Sequence, residues 1–438
     1  TMKSVFFIPT NKSIKDSVSS YIKEILYAND VLQVNIPLIV VETNEFSSIE
    51  NNEIIKSLKN QYPKLNILHL SVDVQKKYFK SLFKGMDDDF YKIFTYTGTD
   101  YATAMNKLGL FACSMEANAY HRRDSDTCLL FDRRSEAREV YPIEYELKYL
   151  GKPIMEIVND LDIKNLKQDI NNKRRVLVVG GNYLGEWNLD VKDFAKVSYD
   201  YVYKIYELLG FKSEHIIDIC DDIFKLEQPV PQNDVISLVT SVDDGCNPDC
   251  GNVSVYRLFE FLPNLPGKNT LAADYFAFDT STALGYPSVH HTRPVFHEYH
   301  DERFEYDKKL KYWYGMLKFA DYFSLYGSIY NDKLIDNFCD YDDCFVSQQM
   351  CESLSEKIAS FASNDTKREE HIIRIIDEVL LKFDENYSKI GQELRKVTAK
   401  CIAECNEEYF LHVKLLKNWS KIIVQAKNIS LMDFIVDH

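Results

Sequence analysis

Residues 4–27, which read SVFFIPTNKSIKDSVSSYIKEILY, carry the pattern that decides the fold. The run SVFFIP is short and apolar and is stopped by Pro9. From Ile14 to Tyr27 the apolar residues then recur three and four positions apart, which is the spacing of one helix face. The pattern predicts a strand, a loop and a helix in that order.

The same alternation repeats over the next hundred residues. Strands are predicted in VNIPLIVV, LNILHL and NAYHR, and helices from Ile49 to Tyr62, Val74 to Phe83 and Ala102 to Glu116. Apolar strands that alternate with helices are typical of a parallel sheet with helices on both faces. The sequence therefore predicts an α/β fold for this part of the chain.

After residue 130 the alternation is less regular. Strands are predicted in RRVLVVGG and DVISLVT, with a helix from about Phe194 to Leu209 between them. Beyond about Asp340, charged residues separate apolar ones spaced three and four apart, which indicates a C-terminal α-helical region. We expect these helices to pack on the rest of the chain. A homodimer or an acceptor contact through them is the alternative.

The composition is that of a folded globular protein in a reducing compartment. The 438 residues carry a formal net charge of −15, which repels nucleic acids and anionic membranes. No apolar run approaches the roughly 20 residues of a membrane helix, and the opening TMKSVFFIPTN is too short and polar for a signal peptide. The ten cysteines lack the paired spacing of a disulfide framework. We expect a cytoplasmic protein with no nucleic-acid partner and no membrane span.

One Asp-x-Asp pair differs from the others in its position. The acidic chain contains four such pairs: Asp87/Asp89, Asp124/Asp126, Asp160/Asp162 and Asp340/Asp342. Only the second follows an apolar strand, and Arg122 and Arg123 precede it directly. Ligands of α/β sheets gather at the carboxyl ends of the strands. Position therefore favours a functional role for Asp124 and Asp126.

The chemistry of this pair suits a divalent cation bound to a diphosphate. Mg²⁺ and Mn²⁺ prefer oxygen ligands and usually take one or two carboxylates together with substrate phosphates. The cation would neutralise charge on a departing diphosphate, while Arg122 or Arg123 binds phosphate or pairs with the aspartates. The alternative is a salt-bridged turn without function.

Four of the ten histidines lie within eleven residues: His290, His291, His297 and His300. Imidazole can complete a metal shell begun by carboxylates, or act as an acid or base near neutral pH. Strand alternation would send His291 and His297 to one face, but Pro294 between them leaves the register open. We expect at least one of the four to face the aspartate pair. For each of them the alternative is a hydrogen-bonded loop residue.

The run VLVVGGNYLGEW is similar to a dinucleotide-binding fingerprint but departs from it. Gly180, Gly181 and Gly185 follow an apolar strand. Asn182 replaces the middle glycine of the fingerprint, and no clear helix follows. We therefore expect a tight turn that borders an acceptor cleft rather than NAD binding.

Several stretches together resemble nucleotide-sugar-dependent glycosyltransferases of the GT-A fold, in particular a bacterial family of that type with an Asp-x-Asp motif. They are FFIPTN, TAMNKLGLFACSMEANAYHRRDSDT, CGNVSVYRLFEFLPNLP, AADYF and VHHTRPVFHEYHDER. The resemblance covers about residues 3–330 and implies a GT-A-like, Rossmann-related mixed sheet flanked by helices. The expected domains are a catalytic domain at 1–335, with a donor half to about 130 and an acceptor half from about 131, and a helical region at 336–438.

The resemblance also implies roles for individual residues. The residues implied to bind the sugar donor form three groups. Pro9, Thr10 and Asn11 would contact the nucleoside, and Arg293 and Tyr299 would contact the diphosphate. The other implied donor-binding residues are Asn106, Lys107, Arg122, Arg123 and Asp124. The implied metal ligands are Asp124, Asp126 and His291, and the implied sugar and acceptor cleft contains Gly251 and Asn252. Lys107 stands where the family commonly has an arginine, which weakens the case for a bidentate phosphate contact.

Asp274 is the catalytic carboxylate that the resemblance implies. In an inverting enzyme it would deprotonate the acceptor hydroxyl, whereas a retaining enzyme needs no base on that face. The run AADYFAFDTSTAL also reads as a helix, so an ordinary helix-start aspartate is the alternative.

The resemblance therefore implies a metal-dependent glycosyltransferase that uses Mn²⁺ or Mg²⁺ and a UDP- or GDP-linked sugar. The acceptor is open and could be a natural product, a glycan or a peptide. A second enzyme class is sugar-phosphate nucleotidyl transfer, but the loop IPTNKSIKD lacks the glycines that such enzymes usually have after the first strand. The non-enzyme alternative is a binding protein that keeps the fold while its acidic site is structural.

Overall fold

A mixed sheet forms the centre of the molecule. The computed structural model describes residues 2–161, 173–185, 198–224, 228–240, 248–271, 273–298, 305–331 and 348–435. In these ranges the central sheet has eight strands in the order β3-β2-β1-β4-β9-β6-β10-β8. They are β1 Ser4–Thr10, β2 Leu38–Glu42, β3 Ile67–Leu70, β4 Ala119–Arg123, β6 Val178–Gly180, β8 Ile236–Val239, β9 Asn252–Tyr256 and β10 Ser288–His291.

The first four strands of this sheet are parallel. β2 and β4 flank β1, and β3 extends the sheet beyond β2. All seven residues of β1 are buried, because helices cover both faces of the parallel strands. β9, the other neighbour of β4, runs antiparallel. Parallel alignment brings the carboxyl ends of β1, β2 and β4 to one edge, and Asp124 follows β4 at that edge.

A second sheet lies next to the aspartate pair. It consists of β5 (Thr127–Leu129), β11 (Val295–His297) and β7 (Tyr183–Gly185), in that spatial order. β11 pairs antiparallel with β5 and parallel with β7. The sheet therefore joins three distant parts of the chain directly after Asp126.

Helices cover the central sheet and form the C-terminal region. Those of the N-terminal part are Lys15–Asp30, Ser48–Gln61, Val72–Leu82, Asp88–Phe94, Tyr101–Ser114, Pro142–Tyr149 and Ile154–Ile157. The middle part has Tyr199–Leu209, Ser213–Phe224, Leu258–Phe261, Phe276–Ala283 and Tyr306–Asn331. The last part has Gln348–Ala362, Asp365–Ile375, Leu381–Phe383, Glu385–Arg395 and Thr398–Lys427. No helix of the described ranges is long and apolar enough to cross a membrane.

The C-terminal helix Thr398–Lys427 shares a hydrophobic core with the first β/α units. Trp419 of this helix is fully buried, and its indole N–H donates to the backbone oxygen of Phe259 at 2.9 Å. The hydroxyl of Ser114 donates to the backbone oxygen of Ala426 at 2.6 Å. Truncation of a buried tryptophan to alanine typically costs about 3–5 kcal/mol, so these contacts hold the helix firmly against the helices Leu258–Phe261 and Tyr101–Ser114.

The predicted fold class is confirmed, because a mixed α/β sheet flanked by helices is followed by a C-terminal helical region. The strands and helices predicted up to Arg123 are present, with shifted ends. β2 begins only at Leu38, since Pro37 has no N–H to donate to a neighbouring strand. The helix Tyr306–Asn331 is absent from the sequence prediction. It packs into two different hydrophobic clusters, so no single apolar face marks it in the sequence.

Candidate active site

Asp124 and Asp126 form the turn that joins β4 to β5. The backbone oxygen of Asp124 accepts from the N–H of Thr127 at 3.1 Å and from the Thr127 hydroxyl at 2.8 Å. The backbone oxygen of Asp126 accepts from the N–H of Glu298 at 3.0 Å. These bonds fix the backbone of the turn, while the two aspartate side chains remain 23% and 16% exposed.

Three groups surround the carboxylate of Asp124. The Nε–H of Arg122 donates to Oδ1, and the hydroxyl of Tyr183 donates to Oδ2, each at 2.9 Å. The Tyr183 hydroxyl accepts in turn from the backbone N–H of Gly251 at 2.8 Å. A side chain at Gly251 would overlap both the Tyr183 hydroxyl and the Asp124 carboxylate. Glycine is therefore required at this close approach.

The carboxylate of Asp126 lies next to an imidazole. The distance from His297 Nε2 to Asp126 Oδ2 is 3.2 Å, and the contact is an ion pair only when His297 is protonated. The His297 ring stacks on the ring of Tyr183, with centroids 4.8 Å apart and planes 21° from parallel. Tyr183 therefore contacts Asp124 directly and Asp126 through His297.

Asp274 lies on the other side of Arg122. Its Oδ2 is 3.6 Å from Arg122 Nη1. The residue belongs to a helical turn that leads into the helix Phe276–Ala283. Burial raises the pKa of Asp274, although Arg122 and the Cys250 thiol lower it. A carboxylate with a raised pKa is a stronger base, so the environment of Asp274 suits the role that the resemblance implies.

Asp249 is a further carboxylate of the site and is absent from the sequence prediction. Its Oδ2 accepts from the backbone N–H of Tyr183 at 2.7 Å, and its Oδ1 accepts from the Tyr275 hydroxyl at 3.4 Å. Burial raises the pKa of Asp249 to about 6. The sequence signal is weak, because NPDCG reads as an ordinary turn and Tyr183 lies 66 residues earlier in the chain.

Arg123 points away from the aspartate pair into the core. It is fully buried and donates to Glu24 at 2.8 Å and to Glu146 at 2.9 Å. Successive residues of a strand face opposite sides, which separates Arg123 from Arg122. Arg122 makes the aspartate pairing that the sequence gives as one alternative. Arg123, predicted to bind the donor, has no exposed surface for a ligand in this structure.

Arg293, predicted to contact the diphosphate, is held by two acidic side chains. It donates two hydrogen bonds to the carboxylate of Asp234, at 3.0 and 2.9 Å, and one to Glu144 at 2.6 Å. Its guanidinium also lies 4.1 Å from the ring centroid of Tyr145. The described contacts of Arg293 therefore join the end of β10 to the helix Pro142–Tyr149 and to the segment before β8.

The two histidines of β10 lie apart from the contacts of Asp126. The Nδ1 of His291 accepts from the backbone N–H of Arg293 at 3.2 Å, and burial lowers the pKa of His291 to about 3. The Nε2 of His290 is 2.9 Å from the side-chain oxygen of Asn182. Metal binding by His291 stays a prediction, and within the described ranges His297 is the histidine that contacts Asp126.

The residues predicted to line the nucleoside pocket lie at the carboxyl end of β1. The backbone oxygen of Thr10 accepts from the N–H of Thr43, which follows β2, at 2.7 Å. The side-chain amide of Asn44 donates to the backbone oxygen of Asn11 at 3.2 Å. Pro9 precedes these residues within β1. The loops after β1 and β2 are therefore fixed to each other at the edge that carries Asp124.

Asn106 and Lys107, predicted to contact the donor, are buried on the helix Tyr101–Ser114. The side chain of Asn106 exchanges two hydrogen bonds with the backbone of Asn264, at 3.0 and 2.7 Å. Lys107 borders a small pocket that is partly open to solvent and that Glu42 also lines. Burial lowers the pKa of Lys107 to about 8. Of the two residues, Lys107 is the one that lines this pocket.

The remaining predicted residues are Asn252, Tyr299 and His300. Asn252 begins β9, and its side-chain amide donates to the backbone oxygens of Asn182 and Arg293, each at 3.2 Å. Tyr299 and His300 fall outside the described residues. Asn252 therefore connects β9 to the segments that follow β6 and β10, next to Gly251.

The carboxylate oxygens of Asp124 and Asp126 suit a hard cation that also binds phosphate. The described side chains alone do not form a complete coordination shell for such a cation. No three His, Cys, Asp or Glu side chains of the described residues are grouped to hold a metal ion. Asp124 uses two of its roughly four lone-pair sites for Arg122 and Tyr183, which leaves room for a cation. Mg²⁺ and Mn²⁺ usually complete their shell with phosphate oxygens and water. Asp124 and Asp126 fit such a cation when a diphosphate supplies further ligands.

Comparison with known proteins shows the family. Residues 3–434 match a family of unknown function, DUF6271, and the chain belongs to this family. No curated protein is significantly similar to it in sequence. One solved structure with some similarity is the mannosyltransferase PcManGT from Pyrobaculum calidifontis in complex with GDP-Man and Mn²⁺. The identity is 12% and the TM-score 0.37, over 92% of this chain and 87% of that chain. Similarity at this level carries no conclusion about function.

Proposed function

We propose that this protein is a glycosyltransferase that uses a divalent cation and a nucleoside-diphosphate sugar. The observation that carries the proposal is the pairing of both Asp124 and Asp274 with Arg122, two residues before Asp126, at the edge where the parallel strands end. Transfer of a sugar from such a donor releases a diphosphate, whose developing charge must be neutralised. A cation-binding carboxylate pair beside an acceptor-side carboxylate suits this reaction.

The roles of the side chains in this proposal follow from their contacts. Asp124 and Asp126 hold Mn²⁺ or Mg²⁺, which neutralises the charge of the leaving diphosphate when it is bound. Arg122 lies between Asp124 and Asp274 and offsets the repulsion of their charges, because its guanidinium contacts both. His297 orients Asp126 through the 3.2 Å contact.

Asp274 is the proposed base for the acceptor hydroxyl. Its raised pKa supports this role, since proton transfer is most efficient when the pKa of the base lies nearer the working pH. Asp249, whose pKa is raised to about 6, is the second carboxylate able to accept a proton. Loss of transfer without loss of donor binding in Asp274→Asn, compared with Asp249→Asn, would identify the base.

Calorimetry with UDP and with GDP, each with and without Mn²⁺, tests the proposal. We expect the wild type to bind at least one of these nucleotides only when Mn²⁺ is present, and to hydrolyse the corresponding nucleotide sugar slowly. Asp126→Ala should lose both properties. Asp89→Ala is the matched control, because Asp89 belongs to another Asp-x-Asp pair that contacts Lys414.

Two results would overturn the proposal. One is a folded wild type that binds neither nucleotide with Mn²⁺ or Mg²⁺, which would favour the non-catalytic binding protein. The other is Asp126→Ala protein that binds nucleotide as the wild type does. If neither result is found, a screen of nucleotide sugars for metal-dependent hydrolysis identifies the donor without knowledge of the acceptor.

A further inference from the structure

Tyr183 contacts both halves of the aspartate pair from the neighbouring small sheet. Its hydroxyl donates to Asp124 Oδ2 at 2.9 Å. Its ring stacks on His297, whose Nε2 is 3.2 Å from Asp126 Oδ2. One side chain therefore reaches two carboxylates, one through a hydrogen bond and the other through a stacked imidazole.

The orientation of the Tyr183 hydroxyl is fixed by a second hydrogen bond. The hydroxyl oxygen accepts from the backbone N–H of Gly251 at 2.8 Å, so its own proton points at Asp124. The backbone N–H of Tyr183 donates to Asp249 at 2.7 Å. Tyr183 is thus held at its backbone and at the tip of its side chain, and it can hold Asp124 in turn.

Strand pairing fixes the position of His297, the residue that stacks on Tyr183. β7, which begins with Tyr183, pairs in parallel with β11, and Gly185 lies opposite His297. β11 pairs with β5, so that His297 also lies opposite Thr127, one residue after Asp126. The backbone therefore holds His297 between Tyr183 and the turn that carries the aspartates.

A tyrosine has an advantage over a charged residue in this position. A lysine or arginine at the same place would be a second cationic partner of Asp124, beside Arg122, and would compete with a metal ion for its remaining negative charge. The phenol is uncharged and donates a single hydrogen bond. It can restrict the rotation of the carboxylate and leave the negative charge available to a cation.

We propose that Tyr183 is a positioning residue that sets the orientation of Asp124 and, through His297, of Asp126 toward a divalent cation. The inference rests on the proposed function, because that function supplies the cation. Groups that orient metal ligands typically change metal affinity by about 10- to 100-fold when they are removed. An effect of this size on cation binding would separate positioning from a purely structural role.

The test is a titration with Mn²⁺, followed by electron paramagnetic resonance, with and without saturating UDP or GDP. Tyr183→Phe removes the hydroxyl and keeps the stacked ring, and we expect Mn²⁺ to bind it about 10- to 100-fold more weakly than the wild type. The matched control is Tyr149→Phe, since Tyr149 is a buried tyrosine whose hydroxyl donates to Asp160 at 3.2 Å. This control should bind Mn²⁺ as the wild type does.

A second variant guards against a folding defect in the first. His297→Gln removes the ring that stacks on Tyr183 and keeps an N–H donor for Asp126, and it should also weaken Mn²⁺ binding. Unchanged Mn²⁺ affinity in folded Tyr183→Phe, or in folded His297→Gln if the first variant does not fold, overturns the inference. Failure of the proposed function is distinguishable, because the wild type would then bind Mn²⁺ through Asp126 without binding a nucleotide.

Discussion

The pairs Asp87/Asp89 and Asp124/Asp126 share a motif and differ in almost every contact. Asp87 begins the helix Asp88–Phe94 and accepts from the backbone N–H of Asp89 at 2.9 Å. Both of these carboxylates contact Lys414, at 3.0 and 2.5 Å. The first pair thus caps a helix and joins it to the C-terminal helix.

The second pair keeps an excess of negative charge. Of the carboxylates described above, Asp124 and Asp274 contact one arginine, Arg122, whereas Asp126 contacts His297 and Asp249 accepts from the backbone N–H of Tyr183. The other groups that contact them include a phenol, backbone amides and an imidazole. We therefore expect the partners of an Asp-x-Asp pair, rather than the motif itself, to decide whether the pair binds a cation.

The largest effect is expected when each pair is neutralised in turn. In Asp124→Asn/Asp126→Asn we expect Mn²⁺-dependent nucleotide binding to weaken by at least about 1,000-fold, since even one unit charge about 4 Å from a cation contributes about 4 kcal/mol at an effective dielectric of about 20. In Asp87→Asn/Asp89→Asn the binding should remain within about twofold of the wild type. Calorimetry measures both. Equal losses in the two variants would remove the distinction between the pairs.

A second comparison uses Arg123, the arginine that directly precedes the Asp124/Asp126 pair. Arg123→Met leaves Glu24 and Glu146 buried without their partner, and we expect it to lower the free energy of unfolding by about 3–5 kcal/mol. The control is Arg134→Met, because Arg134 pairs with the half-exposed Glu136 and should contribute less than about 1 kcal/mol. Urea unfolding measures both variants. A loss below about 1 kcal/mol in Arg123→Met would show that this buried network does not support β4.

The charge excess at the second pair also predicts a pH dependence. Asp249 has its pKa raised to about 6 by burial, so it binds a proton more tightly in the folded protein than in the unfolded chain. Its contribution to stability is therefore greatest below about pH 4 and is lost as the pH rises through about 6. Asp249→Asn should gain stability relative to the wild type between pH 4 and pH 7. Urea unfolding at both pH values checks this, and a constant difference would contradict it.

The smallest effect is expected at the first pair. Lys414→Ala removes two contacts, but Lys414, Asp87 and Asp89 are all 35–46% exposed and screened by water. We expect a loss of no more than about 1 kcal/mol, and a smaller loss at high salt. Urea unfolding at 0.05 and about 0.5 M NaCl measures it. A loss above about 2 kcal/mol would show that this pair is more than a surface contact.

The sequence predicts the parts of the fold in which apolar residues recur at a regular spacing over many residues. The apolar strand β1 and the helices after it are predicted because the buried faces repeat over many residues. The position of Asp124 after β4 follows from the same alternation. Gly251 is predicted only through the family resemblance, and its close approach to Asp124 gives that prediction a physical basis without testing the role assigned to it.

The residues around the aspartate pair depend on pairings that no local pattern records. β5, β7 and β11 have three residues each, which is too short for a periodic signal. His297 and Tyr183 meet only because these strands pair across long separations in sequence. Strand alternation separates Arg122 from Arg123, but only the packing of Glu24 and Glu146 decides which arginine is buried.

The attachment of the helix Thr398–Lys427 affects how the protein can be made. Phe259, Ser114 and the helix Asp88–Phe94 all receive contacts from residues that the ribosome adds more than 150 positions later. The apolar surface of the nascent β/α units therefore stays uncovered until the helix Thr398–Lys427 has been synthesised. Such exposure is the usual cause of chaperone dependence and of aggregation in truncated chains.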